Sequence, residues 1–236
     1  MNNSPKKVLL VSQFFYPENF KSNDIAFDLS NRGYEVDVLT GIPNYPIGKY
    51  IKGYSIFHNR VEVYKNVKIF RAFQLPRGRK KSNIFITLNY LSFSFFSSIW
   101  AIFLCFAKTH DYIIIHQTSP ITQALPALII NKLKKTPIFI WVLDLWPEAF
   151  ISGTGIQRKY IFNLLNWFTK KVYNNSKKIL ISSKEFRESI IKKGDFDKKI
   201  FYFPNWSIDF KKTVTETSVI IPDIPDGFII MFAGNI

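Results

Sequence analysis

Apolar residues in this chain fall into short, nearly unbroken runs, separated by stretches that repeat every three to four residues. The first run, "KKVLLVSQFF", has the length of a buried strand. A turn, "YPENFKSND", follows it, and Ser22 or Asn23 is placed to cap a helix that continues to about Asn31 and stops at Gly33. "YEVDVLT" predicts a second strand, giving the strand–helix–strand opening of a parallel, doubly wound sheet. The alternation resumes with strand "YIIIH" and with a helix over "SPITQALPALIINKL", for which Ser119 is the expected cap and Pro120 the first helical residue. Strand "PIFIWVLD" comes next. An amphipathic helix is then predicted over 158–174, with Ile161, Leu164, Leu165, Phe168 and Val172 at helical spacing. Strand "KKILISS", a helix over 184–193 and strand "IFYFP" complete the series. The pattern predicts an α/β, Rossmann-like fold over 1–207. The Pro- and Asp-containing stretch 208–227 reads as a linker, and 228–236, "FIIMFAGNI", as the first strand of another unit.

One stretch breaks this rhythm. Residues 82–107 carry no charge and are long enough to span a bilayer, which takes ~20 apolar residues. Arg77, Arg79, Lys80 and Lys81 precede them and suit an anionic leaflet. A single crossing would put the strands on either side of this stretch on opposite faces of the membrane, although they belong to one sheet. The expectation is therefore a helix or helix pair lying on the leaflet, with Phe95, Phe96 and Trp100 in contact. A core crossover helix is the alternative.

Composition narrows the possibilities further. Of 236 residues, 47% are hydrophobic and 21% charged, so a folded core is expected rather than disorder. The net charge of +15 suggests nucleic acid, an anionic membrane or an anionic small molecule as partner. No nucleic-acid signature accompanies it, and most of the lysines are dispersed, so nucleic acid is not the expected partner. Cys105 is the only cysteine and the three histidines share no ligand spacing, which suits a reducing cytoplasm and no metal site. G-x-G-x-x-G and G-x-x-x-x-G-K-[ST] are both absent.

In doubly wound sheets, ligands bind beyond the carboxyl ends of the strands. The loops expected there are "FFYPENFKSND", "GIPNYPIGKY", "HQTSP", "DLWPE" and "SSKE". Asp144 ends an apolar strand and suits either a ligand or a turn. Glu148 suits either chemistry or a solvated first helical turn. His116 and Trp146 can serve a ligand or the core equally well. A helix start at Ser22–Asn23 would offer backbone N–H groups to a phosphate.

At these loops the sequence resembles family 4 glycosyltransferases of the GT-B fold, through "VSQFFYPE", "RGYEVDVLTGIPNYPIGKY", "LNYLSF", "DLWPE", "SSKEFRESIIKKG", "FPNW" and "FAGNI". The nearest branch is similar to bacterial L-fucosamine (N-acetylfucosaminyl) transferases of O-antigen and capsule synthesis. The resemblance implies a metal-independent, retaining transfer from a nucleotide sugar, UDP-linked, to an undecaprenyl-diphosphate-linked acceptor on the inner face of the plasma membrane. It implies Asp144, or else Glu148, at the acceptor hydroxyl, where a general base needs hydrogen-bond reach. Tyr16, Pro17, Glu18, Asn44, Tyr45, His116 and Trp146 would line the acceptor site, and Ser22, Asn23, Gly234 and Asn235 the donor phosphates. Lys21 and Asn23 depart from the small Gly/Ala residues of many relatives. The family's Glu-x₇-Glu pair would lie beyond residue 236, so the chain is expected to be the acceptor-binding half of such an enzyme, inactive by itself. The alternative is a non-catalytic membrane-associated subunit that complements a separately encoded donor domain.

Overall fold

The computed structural model describes residues 4–78, 83–155, 158–207 and Gly227. Six of the predicted apolar runs become strands: β1 (Lys7–Val11), β2 (Glu35–Gly41), β5 (Tyr112–Gln117), β6 (Ile138–Val142), β7 (Ser176–Ile181) and β8 (Ile200–Tyr202). Two further strands, β3 (Val61–Tyr64) and β4 (Val67–Ala72), form an antiparallel hairpin that the run pattern missed. Its two-residue turn puts Lys65 and Asn66 at φ 48° and 60°, the left-handed geometry that a tight hairpin requires. The sheet order is β3-β4-β2-β1-β5-β6-β7-β8, and every pairing except β3–β4 is parallel. The expected α/β, doubly wound architecture is thus observed.

The order in which strands are added reverses between β1 and β5, which remain parallel. The chain winds outward from β1 through β2 to β4, then returns to the other side of β1 through α2 (Asn83–Ala107). Alternate strand residues face opposite layers: Leu9 and Val11 belong to one core cluster, Leu10 to the other. The first layer is filled from α2, α3 (Leu125–Lys134) and α5 (Lys159–Asn175), and the second from α1 (Lys21–Asn31) through Ala26. Two short helices, α4 (Glu148–Thr154) and α6 (Phe186–Ile191), follow β6 and β7. The chain divides into two compact units, Met1–Pro204 and Asn205–Ile236; the second includes the predicted linker and the predicted strand 228–236, and apart from 205–207 and Gly227 it lies outside the described residues.

Two expected caps are used differently. Phe20, not Ser22 or Asn23, precedes the first turn of α1, and no side chain caps that turn. Ser119 does not cap α3 either: a 3₁₀ turn, Ile121–Ala124, comes first, and Pro126 sits in the first turn of the helix proper. Ser22 and Asn23 bond instead to the loop that leads into α1, and Ser119 to the loop after β6.

The uncharged stretch is one helix rather than a pair. It is buried through Asn89, Phe93, Ser94, Ser97, Ala101, Leu104 and Cys105, a face rich in small and polar residues that packs against α3 and the sheet. Ser94 and Ser98 donate to the carbonyls one turn back (3.0 and 2.6 Å), so their hydroxyls are satisfied without an outside partner. The opposite face is apolar and bare: Ile84, Leu91, Phe95 and Phe106 are 70%, 54%, 62% and 84% exposed. Phe96 and Trp100 turn partly inward, against Phe73 and Phe70. Arg79, Lys80 and Lys81 lie outside the described residues.

At the end of β2, Gly41 is fixed by packing rather than by its backbone angles. A Cβ there would collide with the Gln74 side chain, which is buried and donates to the Ile42 carbonyl at 2.8 Å. Gly41→Ala is expected to displace Gln74 and cost about 1–3 kcal/mol, the penalty for orphaned buried amides. Urea denaturation should then show Gly41→Ala and Gln74→Ala costing less together than their sum.

Candidate functional site

The parallel strands end along one edge, and buried amides lock the loops that leave them. Gln13, after β1, donates through Nε2 to Gln74 Oε1 (3.0 Å) and Asn89 Oδ1 (2.9 Å). Its backbone N–H donates to Gln123 Oε1 (3.1 Å). Asn89 donates in turn to the Leu75 carbonyl. One buried network thus joins the loops after β1, β4 and β5 to α2. None of these amides was singled out from sequence, because each is informative only beside its distant partners.

Glu18 closes the first loop onto the second. Its Oε1 accepts the backbone N–H groups of Asn44 (2.7 Å) and Tyr45 (2.6 Å). The carboxyl is only 4% exposed, and burial raises its pKa to about 7 against the lowering effect of those N–H groups. Its second oxygen is buried without a partner. Asn23 pins the same loop, accepting from Tyr16 N–H (3.0 Å) and donating to the Glu18 carbonyl (2.7 Å). Ser22 donates to the Phe14 carbonyl (3.1 Å). Tyr16 stacks on Tyr64, with ring centroids 3.9 Å apart, and its neighbour Pro17 is half-buried. The structure therefore places Ser22 and Asn23 as internal braces of the loop, and Tyr16 against the α1 layer.

Asp144, just past β6, accepts from Ser119 Oγ at 2.7 Å, and the same hydroxyl accepts from Trp146 Nε1 at 3.3 Å. The loops after β5 and β6 are thereby fastened together, with the Asp144 carboxylate half-exposed between them. Its charge reaches Tyr90 of α2, whose hydroxyl pKa is raised first by burial and further by Asp144. Glu148 points elsewhere: on α4 it accepts from Lys193 (2.5 Å) and Ser189 (3.2 Å), beside α6. Of the two carboxylates, only Asp144 shares the strand-end cluster. A cavity of about 370 Å³ adjoins it, walled by Ile86, Tyr90 and Leu91 of α2, Ser119 and Pro120 of the β5 loop, Trp146, Phe150 of α4 and Leu165 of α5.

The fold has relatives among solved structures. Sucrose-phosphate synthase from Thermosynechococcus elongatus matches at 11% identity and TM-score 0.50, over 84% of this chain and 48% of that one. LpCGTa in complex with UDP matches at 13% identity and TM-score 0.50, over 89% and 55%. The shared architecture is the GT-B fold. This chain spans about half the length of those two structures. No family model and no curated protein matches the sequence.

Within this fold, His116 is the penultimate residue of β5 and is 1% exposed. Ser12 donates its hydroxyl proton to the Phe14 carbonyl (2.7 Å), so at 3.2 Å it accepts from His116 Nδ1–H. That assigns the Nδ1–H tautomer and leaves Nε2 as a buried acceptor without a partner. Burial lowers the imidazole pKa to about 3, so the ring is neutral at physiological pH. Arg77 sits inside the strand-end cluster. Its guanidinium lies 5.1–5.4 Å from the ring centroids of Phe14, Tyr45 and Tyr90, and it donates to Tyr90 OH at 2.5 Å. Its backbone N–H meets Asn44 Oδ1 at 3.3 Å. Gly234 and Asn235 lie outside the described residues. Among the described residues, no group of three His, Cys, Asp or Glu side chains could hold a metal ion.

Proposed function

We propose that the chain is the acceptor-binding half of a retaining, metal-independent family 4 glycosyltransferase, with Asp144 orienting or deprotonating the acceptor hydroxyl. The single observation that carries this reading is the position of Asp144. It is braced by Ser119 and Trp146 at the strand ends, and the adjoining cavity is walled partly by a helix whose far face is apolar and exposed. A nucleotide sugar, UDP-linked, is the donor in this reading. The acceptor is an undecaprenyl-diphosphate-linked sugar in O-antigen or capsule synthesis, of the L-fucosamine transferase type. The bare face of α2, with Phe95 at its centre, supports residence on the inner leaflet of the plasma membrane, since patches of this kind mark interaction surfaces.

The test separates sugar recognition from lipid recognition. In detergent micelles, undecaprenyl-diphosphate-linked sugar is expected to bind the purified chain saturably. Asp144→Asn, which keeps the Ser119 hydrogen bond, should weaken that binding ~10-fold or more, since a hydrogen bond to a charged group contributes about 1.5–3 kcal/mol. Sugar-free undecaprenyl diphosphate should bind the two forms alike. Equal affinity of both forms for the sugar-bearing lipid would remove Asp144 from the acceptor site.

A further inference from the structure

Arg77 is an expensive residue to place where it is. Its Nε is buried without a hydrogen-bond partner, while three aromatic rings surround its charge. A buried donor left unpaired costs stability, which marks a residue kept for something other than the fold. The same guanidinium touches Tyr90, whose ring also walls the 370 Å³ cavity. The other walls of that cavity are mostly hydrocarbon, and its rim, at Thr87, Leu91 and Gly153, is exposed. That rim continues into the bare face of α2. On the opposite wall, α5 adds an exposed seam of its own through Tyr160, Leu164 and Trp167 (64%, 62% and 57% exposed).

A cation held in a fixed plane beside a hydrocarbon-walled cavity that opens onto an apolar surface suits one kind of ligand, a phosphorylated amphiphile. We propose that Arg77, seconded by the Tyr90 hydroxyl, receives the diphosphate of a prenyl diphosphate, and that the cavity between α2, α4 and α5 takes the isoprene units next to it. This deepens the lipid-linked-acceptor reading and rests on it. Arginine suits the role because its planar fork matches phosphate oxygens and stacks on aromatic faces. In this arrangement the chain of the lipid leaves along the α2–α5 surface, and the sugar beyond the diphosphate lies toward Asp144. Arg77, which sequence grouped with a basic membrane flank, becomes a residue that selects the head of the lipid.

Farnesyl diphosphate, farnesol and inorganic pyrophosphate, none of which carries a sugar, separate this proposal from the role of Asp144. Titrations followed by tryptophan fluorescence and calorimetry should show farnesyl diphosphate binding at least tenfold more tightly than either part alone. Arg77→Ala should reduce its affinity to that of farnesol. Arg77→Lys and Tyr90→Phe, which disturb packing least, should each weaken it three- to tenfold without changing the melting temperature. Ala149→Trp, which fills the cavity, should abolish farnesol binding, lower farnesyl diphosphate to the affinity of pyrophosphate, and leave pyrophosphate unaffected. Unchanged affinity in Arg77→Ala and Arg77→Lys overturns the proposal, as does farnesol binding, or a farnesyl diphosphate affinity above that of pyrophosphate, that survives Ala149→Trp. If farnesyl diphosphate fails to bind while the sugar-bearing lipid still distinguishes Asp144→Asn, this proposal falls and the acceptor reading stands. Normal farnesyl diphosphate binding without sugar discrimination has the reverse meaning.

Discussion

Replacing Asp37 with alanine is expected to destabilise the chain by about 3 kcal/mol, the low end for a broken buried ion pair. Asp37 lies on β2 and is 2% exposed. It accepts from Lys108 Nζ at 2.7 and 2.8 Å and pairs with His110 Nε2 at 2.9 Å. Burial alone would raise its pKa, but the His110 and Lys108 hydrogen bonds and charges outweigh burial and hold it below the usual range. The cluster fastens the end of α2, and the entry to β5, onto the middle of the sheet. The loss stays near the low end because the Lys108 side chain is 26% exposed and can turn to water. Asp37→Asn should cost less than Asp37→Ala, since its shape and one acceptor remain. Lys108→Met should recover part of the Asp37→Ala loss by removing the cation left behind. Urea unfolding followed by tryptophan fluorescence measures all three; additive effects of Asp37→Ala and Lys108→Met would show that the pair is not coupled.

Much of the architecture was legible because parallel strands inside the sheet are buried and read as plain apolar runs; six of the eight strands were found so, the edge strand β8 among them although Phe201 and Tyr202 are exposed. The β3–β4 hairpin escaped because "VEVY" and "VKIFRA" alternate with charged residues. Its turn is Lys65–Asn66 rather than Asn-Gly or Asp-Gly. The length and apolar character of α2 were plain. Its orientation was not, although Ser94, Ser97, Ala101 and Cys105 at three- and four-residue spacing mark the small-residue face that is buried. At the site, the strand-end loops were found from position, whereas the partners within them were not. A carboxylate in "YPE" does not announce that it will hold the Asn44 and Tyr45 amides. A basic cluster at 77–81 does not announce that its first arginine will enter a cage built from three other segments. Such contacts depend on tertiary distance, for which local pattern carries no signal.

The buried pair of titrating groups at the site predicts an unusual pH response. Glu18 titrates at about 7 in the folded chain against 4.5 unperturbed, so between these values the folded state holds a proton that the unfolded state has lost. Its contribution is full below pH 4.5 and is lost as pH rises through 7. His116 has the opposite sign. Its folded value of about 3 against 6.5 means that the unfolded state gains the proton first on acidification. Its contribution is full above pH 6.5 and is lost as pH falls toward 3. Each group changes stability by about 1.4 kcal/mol per pH unit inside its window, and the windows overlap between pH 4.5 and 6.5 with opposed slopes. Removing one group exposes the other. Relative to the parent chain, His116→Gln is expected to gain about 2 kcal/mol between pH 7 and pH 5, and Glu18→Gln to lose about 2 kcal/mol over the same range. Urea midpoints at half-unit pH steps resolve these differences, since the remaining carboxylates contribute equally to each pair of curves. Profiles parallel to the parent would mean that Glu18 and His116 titrate as solvated groups. The loop after β1 and the end of β5 would then be wetter than their burial shows, and a buried carboxylate could not be what holds the Asn44–Tyr45 turn against Arg77.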